Sequence, residues 1–257
     1  MIIMSIARST FNEAIRRRVL MVLLIFAIAM IGGSFAFSSF LPSTEEKMVI
    51  DMGLSAIQLF GVVISVVMAV VMIPAEIDRR TIHTILSKPV SRRAYVLGKY
   101  LGSIYTISFN TIVMSLVFLG ALYFKSHKFD FPLIEAIALY LLEFYLLMGI
   151  AIFFSVLVSP MVNAFICICI LILGNLTSYI QYAKTFGNSS GGSAVTKVVF
   201  QWIYNLVPNF QNFDIGQKIA AGTAVPASFV GTMAIWTFLY IVFLMLMTLH
   251  FFSTREV

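Results

Sequence analysis

The 257-residue chain is 60% hydrophobic and 11% charged, where a soluble domain carries about 25% charged residues. With 24 Phe, 14 Met and a mean hydropathy of +0.99, it lacks the polar residues to coat a water-soluble core, and that class is excluded. A net charge of +6 would in a soluble protein point to nucleic acid. Here the basic residues lie between apolar runs, where they set topology.

Residues 1–18 come first. Ile3, Ile6, Ala7 and Ala14 fall at helical spacing, and Arg16, Arg17 and Arg18 cluster at the end. That pattern suits a helix lying in the inner membrane interface; the competing reading is a frayed basic leader. A cleaved signal peptide fits less well, because the apolar run after the arginines is longer than a signal core.

A bilayer core about 30 Å thick takes about 20 apolar residues of helix. Six stretches reach that length: residues 19–40, 53–75, 96–124, 133–158, 163–182 and 229–252. They are too long for barrel strands and do not alternate, and backbone in lipid must satisfy itself, so each is expected to be helical. The chain is therefore expected to be an all-α integral membrane protein, a six-transmembrane-helix bundle forming one membrane domain over residues 1–257.

The cations divide unevenly between the two faces. One face takes Arg8, Arg16, Arg17, Arg18, Arg79, Arg80, Lys88, Arg92, Arg93, Lys99 and Arg255. The other takes Lys47, Lys125, Lys128, Lys184, Lys197 and Lys218. The positive-inside rule then places both termini in the cytoplasm.

The longest outer connection, residues 183–228, opens on a flexible Gly/Ser-rich stretch and turns aromatic around Trp202 and Tyr204. A short helical segment is expected there, either dipping into the outer leaflet or lying flat with its aromatic rings at headgroup level. A floppy loop with a sticky patch is the plainer alternative. The run Pro208, Asn209, Phe210 follows.

Catalytic signatures are sparse. Gly98-Lys99 is followed by Tyr100, not Ser or Thr, and no glycine stands at the upstream position of a phosphate-binding loop. His83, His127 and His250 fall in three separate segments, so no metal cluster or triad is visible. Cys167 and Cys169, two positions apart on a helix, point about 200° from each other and cannot easily bond. Gly98 and Gly102 carry the small-x-x-x-small spacing of a close helix contact, such as one between two chains.

Two carboxylates fall within the fourth span. Glu135 is near its outer end, within snorkelling reach of the headgroups. Glu143 is near the middle, where a charge costs about 3 kcal/mol on insertion scales. It is either a polar point on a transport route, a helix–helix lock, or a hydrogen-bonded packing residue. Asn175, Thr177 and Gln181 give the outer half of the fifth span a polar stripe. With Glu143 they form a candidate translocation path.

The connection between the second and third spans is the most informative. Asp78 can cap a short helix with Ile82, Ile85 and Leu86 on its apolar side; Pro89 ends it, and Ser91 can cap the next helix. The product is a short charged helix across the cytoplasmic membrane surface, shaped to dock on a partner. The plainer reading is a topology-setting loop against lipid headgroups.

Glu76, Arg80-Thr81, Leu86, Pro89-Val90-Ser91-Arg92 and Gly98-Lys99 resemble the same connection in type-2 ABC transporter permeases. That run usually reads Glu, Gly-Thr, Leu, Pro, Ser-Arg, Gly-Lys; Arg80 stands where Gly is common. The Leu206-Val207-Pro208-Asn209-Phe210 run and the six-span layout add to the resemblance. It implies a permease subunit of an ATP-driven exporter, with no catalysis of its own. It also implies a second permease chain, as homodimer or heterodimer, and two cytoplasmic ABC ATPase subunits that carry the ATP and magnesium. The multi-pass chain would lie in a bacterial inner membrane. Glu76, Arg79, Arg80, Thr81, Ile85, Leu86, Pro89, Ser91, Arg92 and Arg93 would form the coupling element. The rivals are a membrane enzyme or secondary carrier using Glu143, and a membrane scaffold or sensor.

Overall fold

In a computed structural model, residues 2–38, 45–72, 91–126, 131–176, 207–220 and 226–254 are described. The described elements are helical, as unpaired backbone in lipid requires. In chain order they are α1 (Ile2–Arg16), α2 (Arg18–Ser38), α3 (Glu45–Met72), α4 (Arg92–Ser126), α5 (Phe131–Leu157) and α6 (Pro160–Asn175). A 3-10 turn (Phe210–Asn212), α7 (Gly216–Ala220) and α8 (Ala227–Thr254) follow.

Five of these, α2, α3, α4, α5 and α8, are long and apolar enough to cross a membrane. The expected fifth span begins as α6, an apolar helix of 16 residues; positions 177–182 of that span lie outside the described residues. The other boundaries agree closely with hydropathy, with one instructive exception. Helix α3 starts at Glu45, two turns before the apolar run at residue 53. Glu45, Glu46, Lys47 and Asp51 lower the hydropathy but do not stop a helix, so apolar length underestimates the element.

Helix α5 is the axis of the bundle. It is buried along most of its length, α3 along about half, and α2 and α8 are exposed along most of theirs. Close approach is arranged by small residues facing aromatic ones. On α3, Gly53 receives Phe118 of α4 and Gly61 receives Phe144 of α5; a Cβ at either glycine would overlap the ring. Phe118 and Phe144 are fully buried. Hydroxyls inside the bundle are returned to their own helix: Ser65 Oγ donates to Gly61 O at 2.7 Å and Thr106 Oγ1 to Gly102 O at 2.9 Å.

The first helix settles against protein. Ala7, Thr10 and Ala14 are buried on the face the sequence marked as apolar, and that face lies on α4. A Cβ on Gly98 would meet Ile6 Cβ at 2.8 Å, and one on Gly102 would meet Ala7 O at 2.7 Å. Phe11 then meets Phe109 edge to face, ring centroids 6.0 Å apart. The Gly98/Gly102 spacing thus serves a contact within the chain. The α1–α2 joint is held by Arg17, whose guanidinium reaches Glu13 Oε1 at 2.6 Å.

Helices α5 and α6 are joined by a tight turn. Pro160 occupies the first turn of α6, where its missing N–H costs nothing. Asn163, fully buried, donates its Nδ2 to Ala151 O at 3.0 Å and so ties the two helices. Cys167 and Cys169 are both free thiols.

Candidate functional site

The site lies at the end of the bundle where α3 and α5 begin and α6 finishes. The Pro208–Asn209–Phe210 run is seated there on Gly174 of α6. A Cβ at Gly174 would meet Pro208 O at 2.6 Å and overlap the Phe210 ring. Asn209 Oδ1 accepts from Gln211 N at 3.1 Å and starts the 3-10 turn. Phe210 and Phe213 are fully buried, their centroids 6.5 Å apart. Those two anchors deliver the next residues, Asp214 to Gly216, onto the heads of α3 and α5.

Three polar lines converge there. On α3, Asp51 and Gln58 are seven residues apart, on one face and about 10 Å apart along the axis. On α5, Tyr140 and Glu143 are neighbours one turn apart. From the loop comes Asp214. Glu143 is 1% exposed, and its Oε2 accepts from Gln58 Nε2 at 3.1 Å. Its Oε1 is buried and receives no hydrogen bond from the described residues. Tyr140, also 1% exposed, stands among Asp214, Glu143 and Asp51 and accepts from the Gly216 N–H. Its hydroxyl donates in turn to the Asp214 carboxylate. Gly216 is required by this approach, because a Cβ would stand 2.6 Å from the Tyr140 oxygen.

Burial holds the Asp214 carboxyl above the ordinary carboxylate range, and Asp51 adds to that; bonds from the Gly216 N–H and the Tyr140 hydroxyl, with the charge of Lys218, act against it. Among the described residues no group of three His, Cys, Asp or Glu side chains could hold a metal ion.

The sequence singled out Glu143 but not the residues around it. Gln58, Asp51, Tyr140, Asp214 and Gly216 were each unremarked; the available signal was Asp51 and Gln58 at a seven-residue spacing on the flank of an apolar run. Asn175, assigned with Glu143 to one path, donates its Nδ2 to Leu171 O of its own helix at 3.1 Å. Thr177, Gln181, Trp202 and Tyr204 lie outside the described residues.

At the opposite end, Ser91 caps α4 as the sequence indicates, its Oγ accepting from Ala94 N at 3.3 Å. Arg92 opens that helix and Arg93 is exposed in its first turn. Glu76, Arg79, Arg80, Thr81, Ile85, Leu86 and Pro89 lie outside the described residues, as do His83 and His127.

Long apolar helices around a buried α5, with a polar cluster sunk into one end, define a multi-pass helical membrane protein. The model of the ABC-2 family transporter protein matches residues 4–256, nearly the whole chain, and the chain belongs to that family. A comparison with curated proteins finds no match. ABC-2 membrane proteins are transport components rather than catalysts, and they associate with ABC ATPases.

Proposed function

We propose that this chain is the permease subunit of an ATP-driven exporter. The observation that carries the reading is the family match over residues 4–256. One domain, residues 1–257, pairs with a second permease chain. Two cytoplasmic ABC ATPase subunits, holding ATP and magnesium, seat against the connection from Glu76 to Arg93. Closure of the ATPases pushes this coupling helix, and the force enters the bundle through α4, whose capped first turn carries Arg92 and Arg93. The bundle responds as a two-state rigid body. The excess of Lys and Arg on that connection and at the N-terminus puts both ends of the chain in the cytoplasm, with the protein in the inner membrane. The polar cluster on Glu143 then opens on the outer side and forms part of the cargo path, with Asn175, Thr177 and Gln181 further along it.

The test is co-expression with the cassette ATPase encoded beside this chain. It should co-purify in membranes, and the double change Arg92→Glu with Arg93→Glu should leave insertion intact while separating ATP hydrolysis from transport. Copurification lost in wild type, or transport unchanged in the double variant, would reject the coupling.

A further inference from the structure

We infer that the polar cavity at the α1–α2 joint is a binding site for the phosphate group of an anionic lipid headgroup. It lies apart from the proposed cargo path and takes from the proposed function only the side of the membrane, the face on which both termini lie.

The cavity has a volume of about 540 Å3 and is lined, among the described residues, by Ser9, Asn12, Glu13, Arg16 and Arg17, a size that suits a small ligand. Its lining follows from the helix. Ser9, Asn12, Glu13 and Arg16 share one stripe of α1, while Ala7, Thr10 and Ala14 bury the opposite side. The helix breaks between α1 and α2 at Arg17, whose side chain completes the lining.

Every lining residue but Glu13 offers a hydrogen-bond donor, and Glu13 is already engaged. Its Oε1 accepts from Arg17 Nη2 at 2.6 Å, which offsets the acid's charge and fixes the guanidinium at the cavity wall. Arg17 Nε is buried and finds no acceptor among the described residues. Arg16 is exposed and has no acidic partner among the described residues. Two guanidinium groups with donors to spare suit phosphate, whose oxygens accept from the planar fork of arginine in pairs.

The position of the cavity favours a lipid as the carrier of that phosphate. Arg18 opens the apolar span of α2, and Ile15, Val19, Met21 and Val22 around it are exposed. The cavity therefore stands where the span leaves the apolar layer, at headgroup depth. Four arginines against Glu13 alone between residues 8 and 18 draw anionic lipid to that depth. A lipid also brings acyl chains to cover Val19 and Val22, which a soluble phosphate would leave bare.

Native mass spectrometry of the full chain released from detergent, with no ATPase present, tests this. It counts the molecules bound during titration with phosphatidylglycerol, phosphatidylcholine or inorganic phosphate. Phosphatidylglycerol should fill one saturable site per chain, about fivefold or more tighter than phosphatidylcholine, whose phosphate carries a compensating cation. Arg16→Gln should weaken that binding about tenfold, the scale of one charge-assisted hydrogen bond. Arg8→Gln removes the same charge from the same helix outside the cavity and should leave binding nearly unchanged. Glu13→Gln removes the lining's acid and should tighten binding severalfold, an effect that damage to the fold cannot imitate. Equal binding of the two lipids, or equal losses in Arg8→Gln and Arg16→Gln, overturns the site, since the charge would then act diffusely. Inorganic phosphate that displaces phosphatidylglycerol at equal concentration would assign the cavity to a soluble anion and overturn the lipid reading. Lipid binding unchanged by Arg16→Gln, with copurification of the ATPase lost, would give the cavity to an acidic face of that partner and overturn it too. Because the lipid titration contains no ATPase, its failure leaves the coupling through Arg92 and Arg93 to be judged by its own test.

Discussion

Glu143 is the residue whose environment is most at odds with its chemistry. It is buried in the central helix and, among the described residues, has one side-chain hydrogen bond, the 3.1 Å contact from Gln58. Two substitutions should therefore differ in their effect on stability. Gln58→Leu removes that donor and leaves both carboxylate oxygens unpaired, at a cost of about 1–3 kcal/mol. Glu143→Gln keeps an oxygen for Gln58 to donate to and removes the charge, so thermal unfolding in detergent should be unchanged or slightly delayed. Equal destabilisation by both would show that the site is held by shape alone.

Asp214 gives a pH signature at the same scale. Its carboxyl is held above the ordinary range, mainly by burial. A raised carboxyl binds its proton more tightly in the folded protein, so its contribution to stability is full below the ordinary aspartate range, near pH 4. It is lost as pH rises through the shifted value. Asp51, Tyr140 and Lys218 act on it, and it acts in turn on Glu143. Asp214→Asn should flatten that part of a thermal-stability profile between acid and neutral pH; an unchanged slope would assign the dependence to other groups. Sequence reading reached Glu143 because an acid inside an apolar run is conspicuous. It could not reach the partners, since Gln58 is 85 positions away and Asp214 belongs to a segment read only as an outer connection. Hydropathy registers each residue's cost in lipid, and pairing is a property of the packed bundle.

At the scale of elements, hydropathy located the five long apolar helices because lipid imposes one answer on every apolar run. It was silent on which helix meets which. Residues 3–14 showed an apolar face, and the face could equally have been met by lipid or by protein. It lies on α4 because Gly98 and Gly102 leave a shallow channel for Ile6, Ala7 and Thr10. Gly102→Leu should fill that channel and lift α1. The measurement is maleimide labelling of Thr10→Cys in a background with Cys167 and Cys169 changed to Ser. Thr10 is 1% exposed, so labelling should be slow, and it should accelerate severalfold when Gly102→Leu is added. Labelling that is fast in both proteins would mean that α1 is not held on α4. The Pro208–Phe210 run follows the same logic. Its residues were visible in sequence, but their purpose required Gly174, which lies across the Gly/Ser-rich stretch.

At the scale of the whole molecule, burial falls from the centre outward, and the outermost helices are no more polar than the inner ones. Along α8, Ile235, Leu239, Phe243 and Leu246 are all largely exposed, as are Val22, Ile25 and Phe26 on α2. A soluble bundle reverses this order and puts its charges on such surfaces. Such exposed apolar faces suit lipid rather than water, and in lipid the hydrophobic effect that drives burial in water cannot order the bundle from within. Close approach at Gly53 and Gly61, the Asn163 tie and the Glu143–Gln58 bond take that role. Leu239, 62% exposed near the middle of α8, separates the two environments. On a water-facing surface Leu239→Lys would change stability by no more than about 0.5 kcal/mol. In the bilayer centre it should cost about 3 kcal/mol and reduce the inserted fraction accordingly. Quantifying the membrane-inserted product for Leu239→Lys beside Ser228→Lys, at the exposed head of the same helix, tests this directly. A marked loss at 239 with little at 228 is expected, and equal insertion of both would place the face of α8 in water.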